Sequence, residues 1–470
     1  MLGLFATLNL GARALQAQQA GVEVAGQNLA NVNNPAYARQ RVQYQTSISV
    51  STGVGQEGTG VQVTTIQQTR DSLLDSQVRD ENSVGSYWTA QQSALNNTQT
   101  ELGELLGSNA STASGTDTST GLSTQLSDLF NAFQSVASDP TSLAQRQTLI
   151  SQAQTLASSF NQASTRLSGI QSNLNTSIQD DVNSANQLMS DIAQLNGQIS
   201  VAEAGTNNTA NDLRDLREQK LETLSNLGNF QVTTSADGTL SISGGGTQFV
   251  SGSQVASSLA TQDRQGNLFV ISTADNSDVS FSTGSIQGKI DVRDGALSDL
   301  QKGLDTLASQ LISQVNSIYS KGYDLNGNTG ADFFTGTGAA DIGVNADLQA
   351  DPSQVQAAGA AGATGDNSVA LALGQLATTA QAGLNNQSFG DAYGLLVNSL
   401  GNSLSNANDQ VTNSQTVSNM LLTQRDSVSG VSMEEELTNL MNFQKAYQAS
   451  SQIITTVNQM LETLVSMKTV

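Results

Sequence analysis

The chain has no cysteine and no histidine among its 470 residues, and only three prolines and one tryptophan. Without cysteine no disulfide can form, so stability must come from packing or from assembly with other chains. The double absence also excludes the usual zinc sites, thiol nucleophiles and histidine-based triads. Aspartate and glutamate remain as acid–base groups, but they fall mostly on periodic helices and in Ser/Asn-rich loops, where solvation accounts for them. The chain therefore reads as no enzyme, with no cofactor and no metal. Basic residues are scarce: 18 Lys and Arg face 40 Asp and Glu, a net charge of −22. That balance opposes nucleic-acid backbones and anionic membranes. No apolar run approaches the length of a membrane span. Met1–Phe5 lacks the positive segment of a secretory leader, which by itself points to a cytoplasmic protein.

Apolar residues make up 37% and charged residues 12%, leaving roughly 41% for Ser, Thr, Asn and Gln once glycine and proline are set aside. The apolar residues are nevertheless strongly periodic, which argues against disorder and for elongated helical layers with thin cores. At the start, Met1, Leu8, Leu15, Val22 and Leu29 recur every seven residues. At the finish, Met433, Leu440, Tyr447, Ile454 and Leu461 do the same, and Phe443, Val457 and Leu464 each lie three positions after a member of that row. A seven-residue repeat keeps one helical stripe facing a partner helix, so the two ends are expected to pack on each other or on neighbouring subunits.

Between them the pattern changes several times. Asn and Pro end the first helix near Pro35, and Val42, Tyr44, Thr46, Ile48 and Val50 alternate as a strand. Gly53–Gly60 reads as a loop or hinge. Leu74, Glu81, Trp88, Leu95 and Leu102 mark a second helix, with Trp88 in a core or interface, and Ser108–Thr120 reads as a flexible linker. Asp139 and Pro140 are read as the cap and first residue of a helix from about Thr141 to Ala202. Its 4-3 apolar alternation slips to intervals of four at Ile178 and Val182. Arg214, Arg217 and Lys220, interleaved with acids, read as a solvated helix face. Strands follow from Phe230, helix returns over Lys289–Tyr319, Gly322–Gly365 is loop and strand, and Leu371–Asn408 is helix. Two near-motifs are discounted. Asp324, Asn326, Asn328 and Asp332 imitate a calcium loop but lack its glycine and its final glutamate, so a hydrogen-bonded turn is expected. Gly284–Lys289 is one residue short of a phosphate loop.

The segment Asn28-Leu29-Ala30-Asn31-Val32-Asn33-Asn34-Pro35-Ala36-Tyr37-Ala38-Arg39-Gln40 resembles the signature closing the first helix of bacterial flagellar rod, hook and hook-associated proteins. Ala30, Asn31, Tyr37, Arg39 and Gln40 match; Asn34 and Ala36 stand where the family has Thr and Gly, so the turn is expected to differ in shape. Leu143–Asn161, Asn211–Leu227, Gly322–Phe334 and Asn439–Ser450 are similar to blocks of the hook-associated branch, in the same order, and together cover most of the chain.

The resemblance implies a mainly α, elongated multi-domain protein with a β-rich insertion. Residues 1–48 and 431–470 would form an inner-tube domain of paired terminal helices. Residues 49–228, 289–322 and 366–430 would form a long-helix body, and 229–288 with 323–365 a β-rich outer domain. Assembly would run through Leu8, Leu15, Val22, Leu29, Asn31, Tyr37 and Arg39 at one end. At the other it would use Leu440, Phe443, Tyr447, Ile454, Val457, Leu461 and Leu464. The implied partners are further copies in a ring or helical array, the hook protein, a second hook-associated junction protein, and a cytoplasmic export chaperone on the C-terminal helix. The implied location is the extracellular hook–filament junction after a transient cytoplasmic stage, against the cytoplasmic reading above. The rival reading is a secreted soluble adhesin or effector that folds alone.

Overall fold

The computed structural model describes residues 2–34, 36–52, 55–106, 121–205, 209–235 and 237–467. The expected linker Ser108–Thr120, together with Met1 and Pro35, lies outside the described residues. In chain order, α1 (Leu2–Ala30) is followed by four strands, β1 (Gln40–Thr46), β2 (Val50–Thr52), β3 (Gly55–Glu57) and β4 (Val61–Gln68). Helices α2 (Ser72–Leu106), α3 (Leu122–Ser138), α4 (Leu143–Glu203) and α5 (Asn211–Ser225) come next. Six strands follow: β5 (Gln231–Thr234), β6 (Leu240–Gly244), β7 (Thr247–Ser251), β8 (Gln254–Val255), β9 (Leu259–Arg264) and β10 (Asn267–Ser272). Then come α6 (Ser285–Val292), α7 (Ser298–Tyr319), β11 (Phe334–Thr335), β12 (Gly343–Val344), α8 (Ala346–Ala350), α9 (Ser368–Gln375), α10 (Phe389–Ser429) and α11 (Met433–Met467). The architecture is mainly α with small antiparallel sheets, as expected from the sequence.

The axis of the molecule is α4, which spans roughly 90 Å at 1.5 Å per residue. It starts two residues later than expected. Ser142, not Asp139, caps it by accepting from the Gln145 amide at 3.3 Å, while Asp139 closes α3. The slip in its apolar repeat marks a change of core. Leu149, Leu156, Phe160, Leu167, Ile170 and Leu174 belong to one buried cluster with α3, α7, α9 and the start of α10. Ile178, Val182, Met189 and Ile192 belong to a second, with α5 and the strands β6, β7, β9 and β10. At intervals of four the stripe rotates around the helix, so one helix can serve two layers.

The second layer is joined to α4 by asparagines that imitate a neighbouring strand. Asn186 donates to the Leu259 carbonyl and accepts from the Leu259 amide, both at 2.8 Å. Asn196 does the same with Leu240, at 2.9 and 3.3 Å. Asn175 bonds the Gly266 carbonyl and the Leu268 amide. A side-chain amide carries the same donor and acceptor as a peptide, so it satisfies a strand edge that a leucine would leave unpaired.

Several expectations are corrected here. Residues 323–365 do not share a core with the strands of the outer layer: Phe333, Phe334, Ile342, Val344 and Leu348 fill the first cluster, because two-residue strands bury their side chains only against the helices. The boundary at 48/49 cuts a hairpin, since β1 pairs with β4 from Gln40↔Gln68 to Thr46↔Val61 and both strands pack against α1. The helix expected over Leu371–Asn408 is broken between α9 and α10, where Asn385 and Asn386 take left-handed φ of 54° and 60°. The run expected over Lys289–Tyr319 starts at Ser285 and holds a π turn at Arg293–Leu297. Arg293 there bonds Asn175 and the Leu268 carbonyl, linking both layers. Arg214, Arg217 and Lys220 are not a solvated face. They turn back onto α4, to Glu203, Asn196 and Asp191. Arg217 is buried, and that burial pushes its guanidinium down to about 10.

The discounted motifs have structural uses. The Asp324 carboxylate accepts from the amides of Asn326 and Asn328 and from the Asn328 side chain, closing its own turn. Lys289 pairs with Asp181 at 2.7 Å. Trp88 sits edge-on to Tyr87, half-buried. Among the described residues, no helix is long and apolar enough to cross a membrane.

Candidate assembly interface

The two terminal helices pack antiparallel on each other, and the β1–β4 hairpin lies along another side of α1. The seam is closer than the leucine repeat implies. A Cβ placed on Gly11 would stand 2.9 Å from Ile454 Cγ1, and one on Gly21 would stand 2.8 Å from Phe443 Cδ1. The small residues Gly11, Ala17, Gly21 and Ala25 therefore form the buried face of α1, together with Val24 and Asn28. Leu8, Leu15, Val22 and Leu29, expected to face the partner, are only half-buried. The physical reason is helix approach: glycine and alanine let two backbones come near, and the large side chains of α11 fill the gap. On α11, Val457 is buried and Leu440, Phe443, Ile454 and Leu461 are half-buried. Tyr447 and Leu464 stay exposed in the single chain, at 37% and 47%.

The signature residues meet at the base of this pair. Asn28 is the centre. Its Oδ1 accepts from Tyr37 OH and from the Gln40 amide, both at 2.9 Å, and its Nδ2 donates to the Gln40 carbonyl and to Glu436 Oε2. Arg39 grips the start of α11, reaching Glu436 Oε1 at 2.6 Å and Glu435 at 2.8 Å. The Arg39 backbone also accepts from the Thr69 amide and donates to the Ser429 carbonyl. Asn31 acts locally, bonding the Gln27 carbonyl at the helix end. Asn34 Oδ1 accepts from the Ala36 amide, the turn chemistry that stands in for the family's Thr and Gly. Burial, then the neighbouring Asp215, Asp212 and Glu436, push the Tyr37 phenol well above its ordinary value, so it stays protonated and donates to Asn28.

Beneath this lock sits an ionic hub. Arg70 reaches Asp215 at 2.8 Å, Asp75 at 3.2 Å and the Ala36 carbonyl at 3.0 Å. Arg79 pairs with Glu218, and Arg425 with Glu222. Burial outweighs Arg70 at Asp215 and pushes its carboxyl up to about 6. Sequence reading selected Tyr37 and Arg39 but missed Asn28, Glu436 and Arg70. Asn28 begins the very segment that carries the signature, and the Glu434–Glu436 triplet opening α11 was the available sign of a cationic partner.

Helices from both ends of the chain, paired and locked to each other by a polar cluster beneath a long helical body, define a subunit of the flagellar axial class. The family model described as flagellar hook-associated protein FlgK helical domain matches residues 108–334. That described as flagellar basal body rod FlgEFG protein C-terminal matches 422–467. Flagellar hook-associated protein 1 of Bacillus subtilis (strain 168) is 28% identical over 514 residues, covering 99% of each chain. Its namesake from Escherichia coli (strain K12) is 26% identical over 557 residues, covering 98% of this chain and 99% of that one. The solved structure of the flagellar hook junction protein FlgK from Burkholderia pseudomallei superposes with a TM-score of 0.62 at 18% identity, covering 75% of this chain and 100% of that chain. Along almost its whole length the chain is thus similar to flagellar hook-associated protein 1.

Proposed function

We propose that the chain is the structural adaptor joining hook to filament at the flagellar junction, and that its paired terminal helices carry the assembly. The observation that supports this most is the α1–α11 pair, locked by Asn28, Tyr37, Arg39 and Glu436, in a chain aligned end to end with flagellar hook-associated protein 1 of Bacillus subtilis. The pair is not saturated. Phe5 on α1 and Ile453, Met460 and Leu464 on α11 are 44–52% exposed, an apolar flank that neighbouring copies in a ring or helical array would cover. The mechanism is geometric: terminal units form the inner wall, the body surrounds it, and the array meets the hook protein on one side and a second junction protein on the other.

Three bodies follow as a working division. The terminal unit takes 2–68 and 433–467, the helical body takes α2, α3, the first half of α4, α7 and 323–429, and the strand layer takes 229–288 with the second half of α4. Before assembly, Leu440, Phe443, Tyr447, Ile454 and Leu461 would be covered by a cytoplasmic export chaperone; afterwards the protein resides outside the cell. The relatives reported above are hook-associated proteins and the solved structure a hook junction protein, and none supports the free adhesin or effector. The test is electron microscopy of a strain lacking this gene, complemented by the full chain or by one carrying Arg39→Glu. Filaments on hooks with the first, and bare hooks with the second despite normal secretion, are expected. Filaments on hooks without any copy would remove the adaptor role.

A further inference from the structure

Sulfur in this chain is confined to methionine, since there is no cysteine, and it is unevenly placed. Five of the seven methionines, Met420, Met433, Met441, Met460 and Met467, lie on α10 and α11, and all five are 51–74% exposed. Met189, on α4, is fully buried in the second apolar cluster. A thioether side chain packs as an apolar group, so an exposed row of them is an apolar surface. On α11 the row alternates with other apolar residues. Met433, Leu437 and Met441 fall at intervals of four, and Ile453, Met460 and Met467 at intervals of seven, spacings that each keep to one helical face.

The helices of the terminal unit are also nearly free of charge. No Asp, Glu, Lys or Arg stands between Lys445 and Glu462 on α11, and α1 carries only Arg13 and Glu23. An uncharged apolar flank of this kind suits the equally uncharged terminal unit of a second copy, and not the acidic body. Methionine differs from leucine on such a flank in one respect, because its sulfur can be oxidised. The product, a sulfoxide, is polar and accepts hydrogen bonds. Susceptibility follows exposure, which separates the five methionines of α10 and α11 from Met189.

We infer that this methionine row is a reversible oxidation site of the unassembled chain, and that its sulfoxides hold the terminal unit off neighbouring copies. The oxidant is a two-electron peroxide. A sulfur lone pair attacks one oxygen of hydrogen peroxide, the S–O bond forms as the O–O bond breaks, and the proton of the attacked oxygen joins the departing hydroxide as water. Sulfur is oxidised by two electrons and the peroxide reduced by two. With no cysteine in the chain, no thiol competes for the oxidant. Covering a sulfoxide strips away its water, and an apolar flank returns no hydrogen bond in exchange. Methionine sulfoxide reductases reverse the step, the oxygen leaving as water while two thiols of the reductant become a disulfide. A neighbouring copy seated on the row would shield the sulfurs, so the modification acts before assembly. The effect on assembly rests on the array proposed above; the oxidation site does not.

The test treats the full chain with hydrogen peroxide, locates the added oxygen by mass spectrometry of its peptides, and follows self-association by sedimentation. The five exposed methionines should each gain one oxygen at least about tenfold faster than Met189, and unfolding the chain in urea beforehand should remove the difference. Self-association of the oxidised chain should weaken by about tenfold or more, and methionine sulfoxide reductases supplied with a dithiol should restore it. Met189 oxidised as fast as the other five in the folded chain overturns the site. Undiminished association of the oxidised chain, or a loss that the reductases fail to reverse, overturns its effect on assembly. An untreated chain that never associates removes the proposed array, and with it that effect, whereas the masses still decide the site.

Discussion

At the scale of single residues, this protein replaces apolar burial with amides. Asn28, Asn186 and Asn196 each face a backbone amide and carbonyl as a second strand would, which gives the high asparagine content a structural use. Asn186→Leu should therefore destabilise the strand layer by about 1–3 kcal/mol, because it strands two peptide groups of Leu259. Chemical denaturation with Tyr and Trp fluorescence checks this, and an unchanged midpoint contradicts it. Asp215 makes a second, signed prediction. Its folded-state carboxyl titrates near 6, above its ordinary value of 3.8, so its protonated form favours the fold. That contribution is complete below about pH 4 and is lost as pH rises through about 6. Lowering the pH from 7 to 5 should thus return about 1 kcal/mol through this group. Asp215→Asn should remove that increment, so its melting temperature should change less than the parent's over the interval. Equal slopes would remove Asp215 from the pH dependence.

At the scale of elements, the long helix was the most legible part of the chain. The apolar repeat of α4 and the slip at Ile178 were readable because a helix that faces layers along its whole length must write them into its sequence. The seam between α1 and α11 was misread for the opposite reason. Periodicity counts large apolar side chains, and the closest approach of this contact is made at Gly11 and Gly21, which add nothing to an apolar row. Likewise the ties of Asn28 to Glu436 and of Arg70 to Asp215 join residues 408 and 145 positions apart, which no local pattern records. The corrected seam is testable. Gly21→Ala gains helix propensity of about 1 kcal/mol in isolation. In this chain it should instead weaken protection of both terminal helices in hydrogen exchange, because its Cβ meets the Phe443 ring. Adding Phe443→Ala should relieve the effect, with a coupling of about 1 kcal/mol. Independent, additive effects would place the contact elsewhere.

At the scale of the whole molecule, charge is divided as sharply as packing. Residues 1–68 and 433–470 carry three arginines and two lysines against six glutamates, a net −1, which leaves −21 of the −22 on the rest of the chain. Neighbouring copies would thus adhere through nearly neutral terminal units while their bodies repel one another. Screening shortens from about 10 Å at 0.1 M salt to about 3 Å at 1 M, so self-association followed by sedimentation should strengthen as salt is raised. Association that weakens with salt would instead assign the contacts to ion pairs. The central claim, that the paired ends form the inner wall of a junction array, is tested most directly by a cryo-electron microscopy reconstruction of isolated hook–filament junctions containing this protein. The account predicts α1 and α11 density lining the central channel, with α4 and the strand layer outside it. Density for the body at the channel wall, with the terminal helices on the outer surface or unpaired, would contradict it.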